Sequence, residues 1–260
     1  RSLKKSVVSK PMREIPFSLK EHPRFSSPEV GLAVLGHPIA HSISPVLHRA
    51  ALEVLSRKEP SFSHWTYERL DVHPKDLRRA LDQLSDAGFI GLNLTIPHKV
   101  EVLDFLDQLD PETSVMGAVN TLALRGNHWA GYNTDGYGLK MALEKELNCD
   151  LQDAKILILG AGGAARAAAA QSLLSGANLV HIHNRSTKNL IVLTTLLHQE
   201  FDSERIVGST PQAFNDADFC GKDWIVINAT SLGLKPGEPS PLFIPCKKFG
   251  KQSVFYDMIY

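Results

Sequence analysis

A wholly apolar tetrapeptide, Ile156-Leu157-Ile158-Leu159, runs directly into Gly160-Ala161-Gly162-Gly163-Ala164-Ala165 and an alanine-rich stretch ending near Leu174. An apolar run of this length before a breaker reads as a strand buried on both faces, and the alanine-rich stretch as a helix. A glycine turn joining the two lets the backbone approach a pyrophosphate closely. The helix N-terminus then offers unsatisfied N–H groups and the positive end of its dipole. Ala165 falls at a position where the dinucleotide fingerprint admits Gly or Ala. A glycine-rich hexamer by itself is a weak signal; the strand and helix that flank this one give it meaning. Gly160, Ala161, Gly162, Gly163 and Ala164 are the candidate phosphate contacts, the alternative being a tight strand–helix turn without a ligand.

The next strand, Leu179–His183, decides which dinucleotide suits the turn. An NAD site places Asp or Glu about 20 residues on, to accept the ribose hydroxyl protons. No carboxylate occurs between Asp153 and Glu200, and the strand ends in Asn184-Arg185-Ser186-Thr187-Lys188. A guanidinium, a hydroxyl and an ammonium suit a phosphate on that ribose, so NADP is favoured over NAD.

Strands and helices alternate through the rest of the chain. Ahead of the glycine turn come strand patterns at Leu32–Leu35, His64–Leu70 and Phe89–Leu94. Helix patterns cover Pro45–Leu55, the stretch opening at Pro74, and Val100–Leu109. Gly126-Asn127 reads as a hairpin turn between Val119–Leu124 and Trp129–Tyr132. A charged helix, Lys140–Leu147, leads into the second unit. Beyond the turn follow the helix Thr187–Phe201 and strands at Ile206-Val207, Trp224–Ile227 and Val254–Tyr256. This order predicts an α/β fold of mostly parallel sheets covered on both faces. We expect an N-terminal extension or linker over 1–29, a substrate-binding catalytic domain over 30–134, and a dinucleotide-binding domain over 135–260.

Lys+Arg and Asp+Glu number 28 each, so the chain lacks the basic excess of a nucleic-acid surface. No apolar run approaches the roughly 18 residues of a membrane span, and no secretory signal is visible. The three cysteines, Cys149, Cys220 and Cys246, are widely spaced, which suits a reducing, cytoplasmic compartment. His37, His41 and His48 have no carboxylate or cysteine at regular ligand spacing, and no metal is expected.

Four loop segments of the first unit carry the polar chemistry. They are Gly36–Pro45, Asn93–Lys99, Gly117–Thr121 and Asn133–Gly136. Their hydroxyls and amides can orient a polyhydroxylated ligand, and a lysine beside an aspartate can exchange protons with a substrate hydroxyl. Taken singly, each also has a plainer reading. Ser42 and Ser44 can cap a helix, Asp135 can be an N-cap, and Lys99 can be solvated.

Together, in order and spacing, these segments and the Gly160 turn resemble the shikimate dehydrogenase family. Asn228-Ala229-Thr230-Ser231-Leu232-Gly233 and Tyr256-Asp257-Met258-Ile259-Tyr260 extend the match, which runs from about Val34 to Tyr260. The resemblance implies a substrate domain plus a Rossmann-like NADP domain with a cleft between them. It implies Lys99 and Asp135 as the catalytic pair, Ser42 and Ser44 on the substrate carboxylate, and Thr95, Asn120 and Tyr260 on carboxylate or ring hydroxyls. Asn93 supports that site. The cofactor residues it implies are Gly160 to Ala164 on the pyrophosphate, Asn184, Arg185 and Ser186 on the adenosine end, and Thr230 and Ser231 on the nicotinamide half. Arg49 departs from the family's usual asparagine, and Asn189 from a second basic residue. The family continues past Tyr260 with closing helices that supply a glycine and a glutamine. Their absence, together with the extension at the other end, suggests a fragment, and the 1–29 stretch read as a linker from an upstream domain suits a fused multidomain enzyme.

The activity so implied is NADP-dependent, reversible reduction of 3-dehydroshikimate to shikimate, serving aromatic amino-acid precursors. The expected partner is this small molecule, with neither nucleic acid nor membrane, on a monomer or homodimer. A quinate/shikimate dehydrogenase is the nearest rival, and a non-catalytic metabolite sensor on the same scaffold the rival from another class. The missing acid argues against the first, and retention of both Lys99 and Asp135 against the second.

Overall fold

The structure, a computed structural model, describes residues 15–234, 237–242 and 244–259. The chain divides into two compact units: Arg1–Leu109 with Val119–Tyr132, and Asp110–Ala118 with Asn133–Tyr260. The second unit thus takes in a short segment, Asp110–Ala118, that lies inside the expected substrate domain.

In the first unit, β1 (Phe17–Ser18), β2 (Val30–Gly36), α1 (Ser44–Lys58), β3 (Trp65–Asp71), α2 (Leu77–Asp86) and β4 (Phe89–Leu94) follow in order. A single helical turn, α3 (His98–Glu101), precedes β5 (Gln108–Leu109), and the hairpin strands β6 (Thr121–Arg125) and β7 (His128–Tyr132) close the unit. They form one seven-stranded sheet in the order β1-β3-β2-β4-β6-β7-β5. β1 to β4 are mutually parallel, while β6 runs antiparallel to both β4 and β7. Leu77, Ala80, Leu81 and Leu84 of α2 are buried on one face, in a core with Ala33, Leu35, Leu70, Leu92 and Leu94.

Two local expectations change. Val100–Leu109 reads as a helix, but the chain makes α3, a 3-10 turn over Val102–Phe105, and then an edge strand. Its apolar residues repeat at helical spacing, yet Leu106 and Leu109 close over Gly131, and β5 pairs with β7 there. Sheet pairing and packing override the local pattern. The stretch read as an irregular extension also takes part: β1 adds to β3, and Phe25 sits edge-on to Phe89 with ring centroids 5.1 Å apart.

The second unit contains α4 (Pro111–Met116), α5 (Asp135–Glu146), β8 (Lys155–Leu159), α6 (Gly163–Leu174), β9 (Leu179–His183) and α7 (Thr187–Glu200). The strands β10 (Ile206–Ser209), β11 (Ile225–Asn228) and β12 (Val254–Asp257) complete a five-stranded sheet, ordered β10-β9-β8-β11-β12. Every pairing is parallel. Ile156 and Ile158 face one core with the α6 alanines, while Leu157 and Leu159 face another with Phe219, Trp224 and Phe249. Burial on both faces explains why β8 shows no polar alternation. The register aligns Ser209, His183, Leu159, Asn228 and Asp257 along the C-terminal edge. Strand order reverses at β8, which is where open α/β sheets bind ligands. Among the described residues no helix is long and apolar enough to cross a membrane.

Candidate active site

In the first unit, the loops after β2 and β4 are joined through a glycine. A Cβ on Gly36 would stand 2.5 Å from Thr95 Cγ2 and 2.8 Å from Ile39 Cδ1, so only glycine lets Thr95 lie this close to the serine loop. Thr95 N–H donates to Leu35 O at 2.9 Å, and His37 N–H to Ile96 O at 3.0 Å. Ser42 Oγ accepts the Ser44 N–H at 3.3 Å, a partial version of the capping alternative. That bond uses an acceptor lone pair and leaves the hydroxyl proton for an anionic ligand. Arg69 holds the same loop, with Nη1 donating to Ala40 O and to Ser42 O.

Lys99 sits in α3, half-buried, and its carbonyl accepts the Val119 N–H at 2.7 Å. Asn120 N–H donates to Tyr132 O at 3.1 Å and its carbonyl accepts from Leu94 N–H at 2.8 Å. Backbone bonds therefore fasten the lysine turn and the Asn120 strand to the end of β4. His98, fully buried, fixes the other side of the turn, its Nε2 lying 2.8 Å from Val72 O. Burial is the main cause that pushes its pKa below the usual histidine value. Ser42, Ser44, Asn93, Thr95, Lys99 and Asn120 are thus all carried on the β2 and β4 ends and the adjoining start of β6.

Asp135 belongs to the second unit, as the first residue of α5. It is not the capping residue. Asn133 Oδ1 accepts the N–H groups of Asp135 at 2.9 Å and Gly136 at 3.3 Å, and Asn133 Nδ2 donates to Ala118 O at 2.8 Å. The capping work that the sequence offers to Asp135 is done two residues earlier. Its carboxylate instead lies at the helix N-terminus, where the dipole favours an anion.

The glycine turn has the geometry a pyrophosphate requires. Gly160 adopts φ +114°, and a Cβ there would lie 3.0 Å from Ala229 O. A Cβ on Gly162, the N-cap of α6, would meet nothing within 4 Å, and no side chain caps this helix end. Its first N–H groups are the donors an anion would use, so this turn fits the diphosphate of a dinucleotide. Ala161 is buried, while Gly163 and Ala164 open α6. Thr230 Oγ1 and N–H both donate to Asn228 Oδ1, at 2.7 and 3.0 Å, and Asn228 Nδ2 reaches Asp257 Oδ1 at 3.1 Å. Ser231, next in this loop, is exposed.

At the end of β9, Asn184 N–H donates to Ser209 O at 3.0 Å and its amide to Ser186 O at 2.9 Å. Ser186 is the N-cap of α7, accepting the Asn189 N–H at 3.4 Å, and Arg185 projects exposed between them. An ordered turn with an exposed guanidinium and a hydroxyl proton to donate fits a ribose phosphate.

The structure gathers six predicted residues in the first unit and the cofactor set at one edge of the second sheet. The expected catalytic pair is divided, Lys99 in one unit and Asp135 in the other. Tyr260 lies outside the described residues. Sequence reasoning missed Tyr67, Arg69, Asn133 as a cap, and the support from Asn228 and Asp257. Only Asn133 left a local signal, an amide two residues before a helix start. Arg49, the departure from the family pattern, binds both Glu68 carboxylate oxygens from Nη2 at 2.8 Å and so ties α1 to β3.

The sequence profile described as the shikimate dehydrogenase substrate binding domain matches residues 34–122. The NADP(+) shikimate dehydrogenase of Methanocaldococcus jannaschii is 35% identical over 229 residues, covering 88% of this chain and 77% of that protein. A shikimate dehydrogenase crystallised with NADP+ superposes with a TM-score of 0.77 at 33% identity, over 92% of this chain and 79% of that one. The Thermus thermophilus enzyme in complex with NADP(H) and shikimate gives 0.70 at 32%, over 88% and 78%. The glycine turn, the lysine turn and these relatives agree, and the chain belongs to the shikimate dehydrogenase family.

Proposed function

We propose that this protein reduces 3-dehydroshikimate to shikimate, reversibly and with NADP, in the synthesis of aromatic amino-acid precursors. The observation that carries this reading is the lysine turn, held by backbone bonds beside hydroxyl and amide side chains at the end of β4. Ser42 and Ser44 bind the substrate carboxylate, Thr95 and Asn120 bind the carboxylate or ring hydroxyls, and Asn93 supports Asn120. The Gly160–Ala164 turn holds the pyrophosphate, Thr230 and Ser231 lie along the nicotinamide half, and Asn184, Arg185 and Ser186 hold the adenosine end. Tyr260 is assigned to the substrate by family resemblance. NADPH, when bound, supplies the hydride. Lys99 donates a proton to the carbonyl oxygen as negative charge develops there, and Asp135 orients the lysine and the substrate.

Three free thiols and a small polar substrate suit a cytoplasmic enzyme acting as a monomer or homodimer. The test is loss of NADPH absorbance with 3-dehydroshikimate, run beside quinate with NAD in reverse. Lys99→Ala is expected to lower turnover by about 10²–10⁴ with unchanged NADP affinity. A Lys99→Ala enzyme of undiminished turnover would remove the acid from the mechanism.

A further inference from the structure

We propose that Asn228, the last residue of β11, is a positioning residue for hydride transfer: its amide, braced by Asp257 of β12, sets the loop along the nicotinamide half of the cofactor. The inference rests on the proposed placing of Thr230 and Ser231 beside that half. Asn228 is 7% exposed and stands opposite Asp257 in the parallel register of β11 and β12. Beyond it the chain has left the sheet, and Thr230, Ser231 and Leu232 belong to no strand or helix. Such a loop keeps one shape only where its polar groups find fixed partners.

Asn228 supplies those partners from both edges of its amide. Thr230 donates to Oδ1 twice, from its N–H at 3.0 Å and its hydroxyl at 2.7 Å. Nδ2 donates to Leu232 O and to Asp257 Oδ1, each at 3.1 Å. A backbone N–H only donates and a backbone carbonyl only accepts, so the amide sits only this way round. Both of its protons and both lone pairs of its oxygen are in use. Thr230 adds a further tie, its Oγ1 accepting the Leu232 N–H at 3.1 Å. That hydroxyl has given its one proton to Asn228 and has none left for a ligand. Thr230 therefore serves the loop's shape, and Ser231, exposed beside it, carries the loop's other hydroxyl.

The same residue joins the loop to both of its neighbours. Ala229 N–H donates to Leu159 O at 2.9 Å, and a Cβ on Gly160 would stand 3.2 Å from Thr230 Cγ2, so the loop lies against the glycine turn. On the other side Asn228 O accepts the Met258 N–H at 3.0 Å, and Asp257 Oδ1 accepts the Ile259 N–H at 3.0 Å. The glycine turn, the loop and the exit of β12 are thus held in one frame. Asn228→Ala removes four side-chain bonds from it at once. Asn228→Asp keeps the shape and can still accept from Thr230, but it turns an oxygen towards Leu232 O and the Asp257 carboxylate. Those acceptors lie 3.1 Å from the atom it replaces, and their repulsion drives the loop from its place.

Two measurements on the full chain test this: turnover at saturating NADP and shikimate, and affinity for 2′-phospho-ADP-ribose, the cofactor without its nicotinamide. Asn228→Ala and Asn228→Asp are expected to lower turnover about 10- to 100-fold, since a small misplacement of the reacting ring suffices. Affinity for the fragment should stay within about twofold, because the glycine turn and the Arg185 turn hold it. Should substitutions at 228 prevent folding, Asp257, which is exposed, gives a second route. Asp257→Ala should lower turnover about 3- to 10-fold through the loss of one brace. Asp257→Asn, whose amide oxygen still accepts from Asn228 and Ile259, should keep most of the turnover. Parallel losses of turnover and fragment affinity, or full turnover in both alanine variants, overturn the inference alone. So does an Asp257→Asn chain no more active than Asp257→Ala. A wild-type chain that fails to turn over shikimate overturns the proposed function and the inference with it.

Discussion

Arg185 shows how one side chain can choose between two cofactors. The turn that carries it is held by the protein's own bonds: Asn184 is bonded to Ser209 O and Ser186 O, and Ser186 caps α7. Little ordering cost remains for the guanidinium to bind a ribose phosphate. A charge-assisted bond of this kind contributes about 1.5–3 kcal/mol. Arg185→Ala should therefore weaken NADP by roughly 10- to 100-fold and leave NAD affinity nearly unchanged. Fluorescence titration with each reduced cofactor checks this, and equal losses would exclude a phosphate contact. Lys188, the second residue of α7 and exposed, is a second cation close by, so the double variant should lose more than Arg185→Ala alone.

At the scale of elements, two glycines of one turn do different jobs, and substitution can separate them. Gly160 holds φ +114°, with Ala229 O where a Cβ would go. Gly160→Ala should cost about 1–3 kcal/mol of stability, seen as a lower Tm, along with weaker cofactor binding. Gly162 has an ordinary φ of −88°, and open space where its Cβ would stand. Gly162→Ala should leave Tm nearly unchanged yet weaken NADP, because the new methyl occupies the approach to the helix N–H groups. A Gly162→Ala protein with unaltered cofactor affinity would place the pyrophosphate elsewhere. This turn could be read from the sequence because strand, glycines and helix are contiguous, and each states its own conformation. Segments whose outcome depends on distant partners were not legible. Val102, Phe105, Leu106 and Leu109 repeat as a helix would, and only the approach of Gly131 turns the last of them into a strand. Tyr67 looked like any strand aromatic because its bonding partner lies 26 residues away on a strand that is not its neighbour.

The protein as a whole should respond to acid through a histidine that takes no part in the proposed chemistry. His181 and His183 project from the same face of β9, and both rings meet one hydroxyl, Ser209 Oγ on β10, at 2.7 and 3.1 Å. Phe214 and Phe219 stand edge-on to the His181 ring. Burial first, then the neighbouring His183, lower the His181 pKa to about 4, against a smaller opposing pull from Asp218. Burial also lowers the pKa of His183. The unfolded chain holds His181 at the ordinary value of 6.5, so between pH 6.5 and about 4 it binds more protons than the native state. Stability is then complete above pH 6.5 and declines as pH falls towards 4, by on the order of 3 kcal/mol from this residue. Urea unfolding at pH 7 and pH 5 should show the decline, with His181→Gln giving a flatter dependence because glutamine can still reach Ser209 but does not titrate. A variant that loses stability in parallel with the wild type over this interval would mean that acid acts elsewhere. The parallel sheet makes this sensitivity unavoidable: a strand buried on both faces has no solvent side on which to place an imidazole.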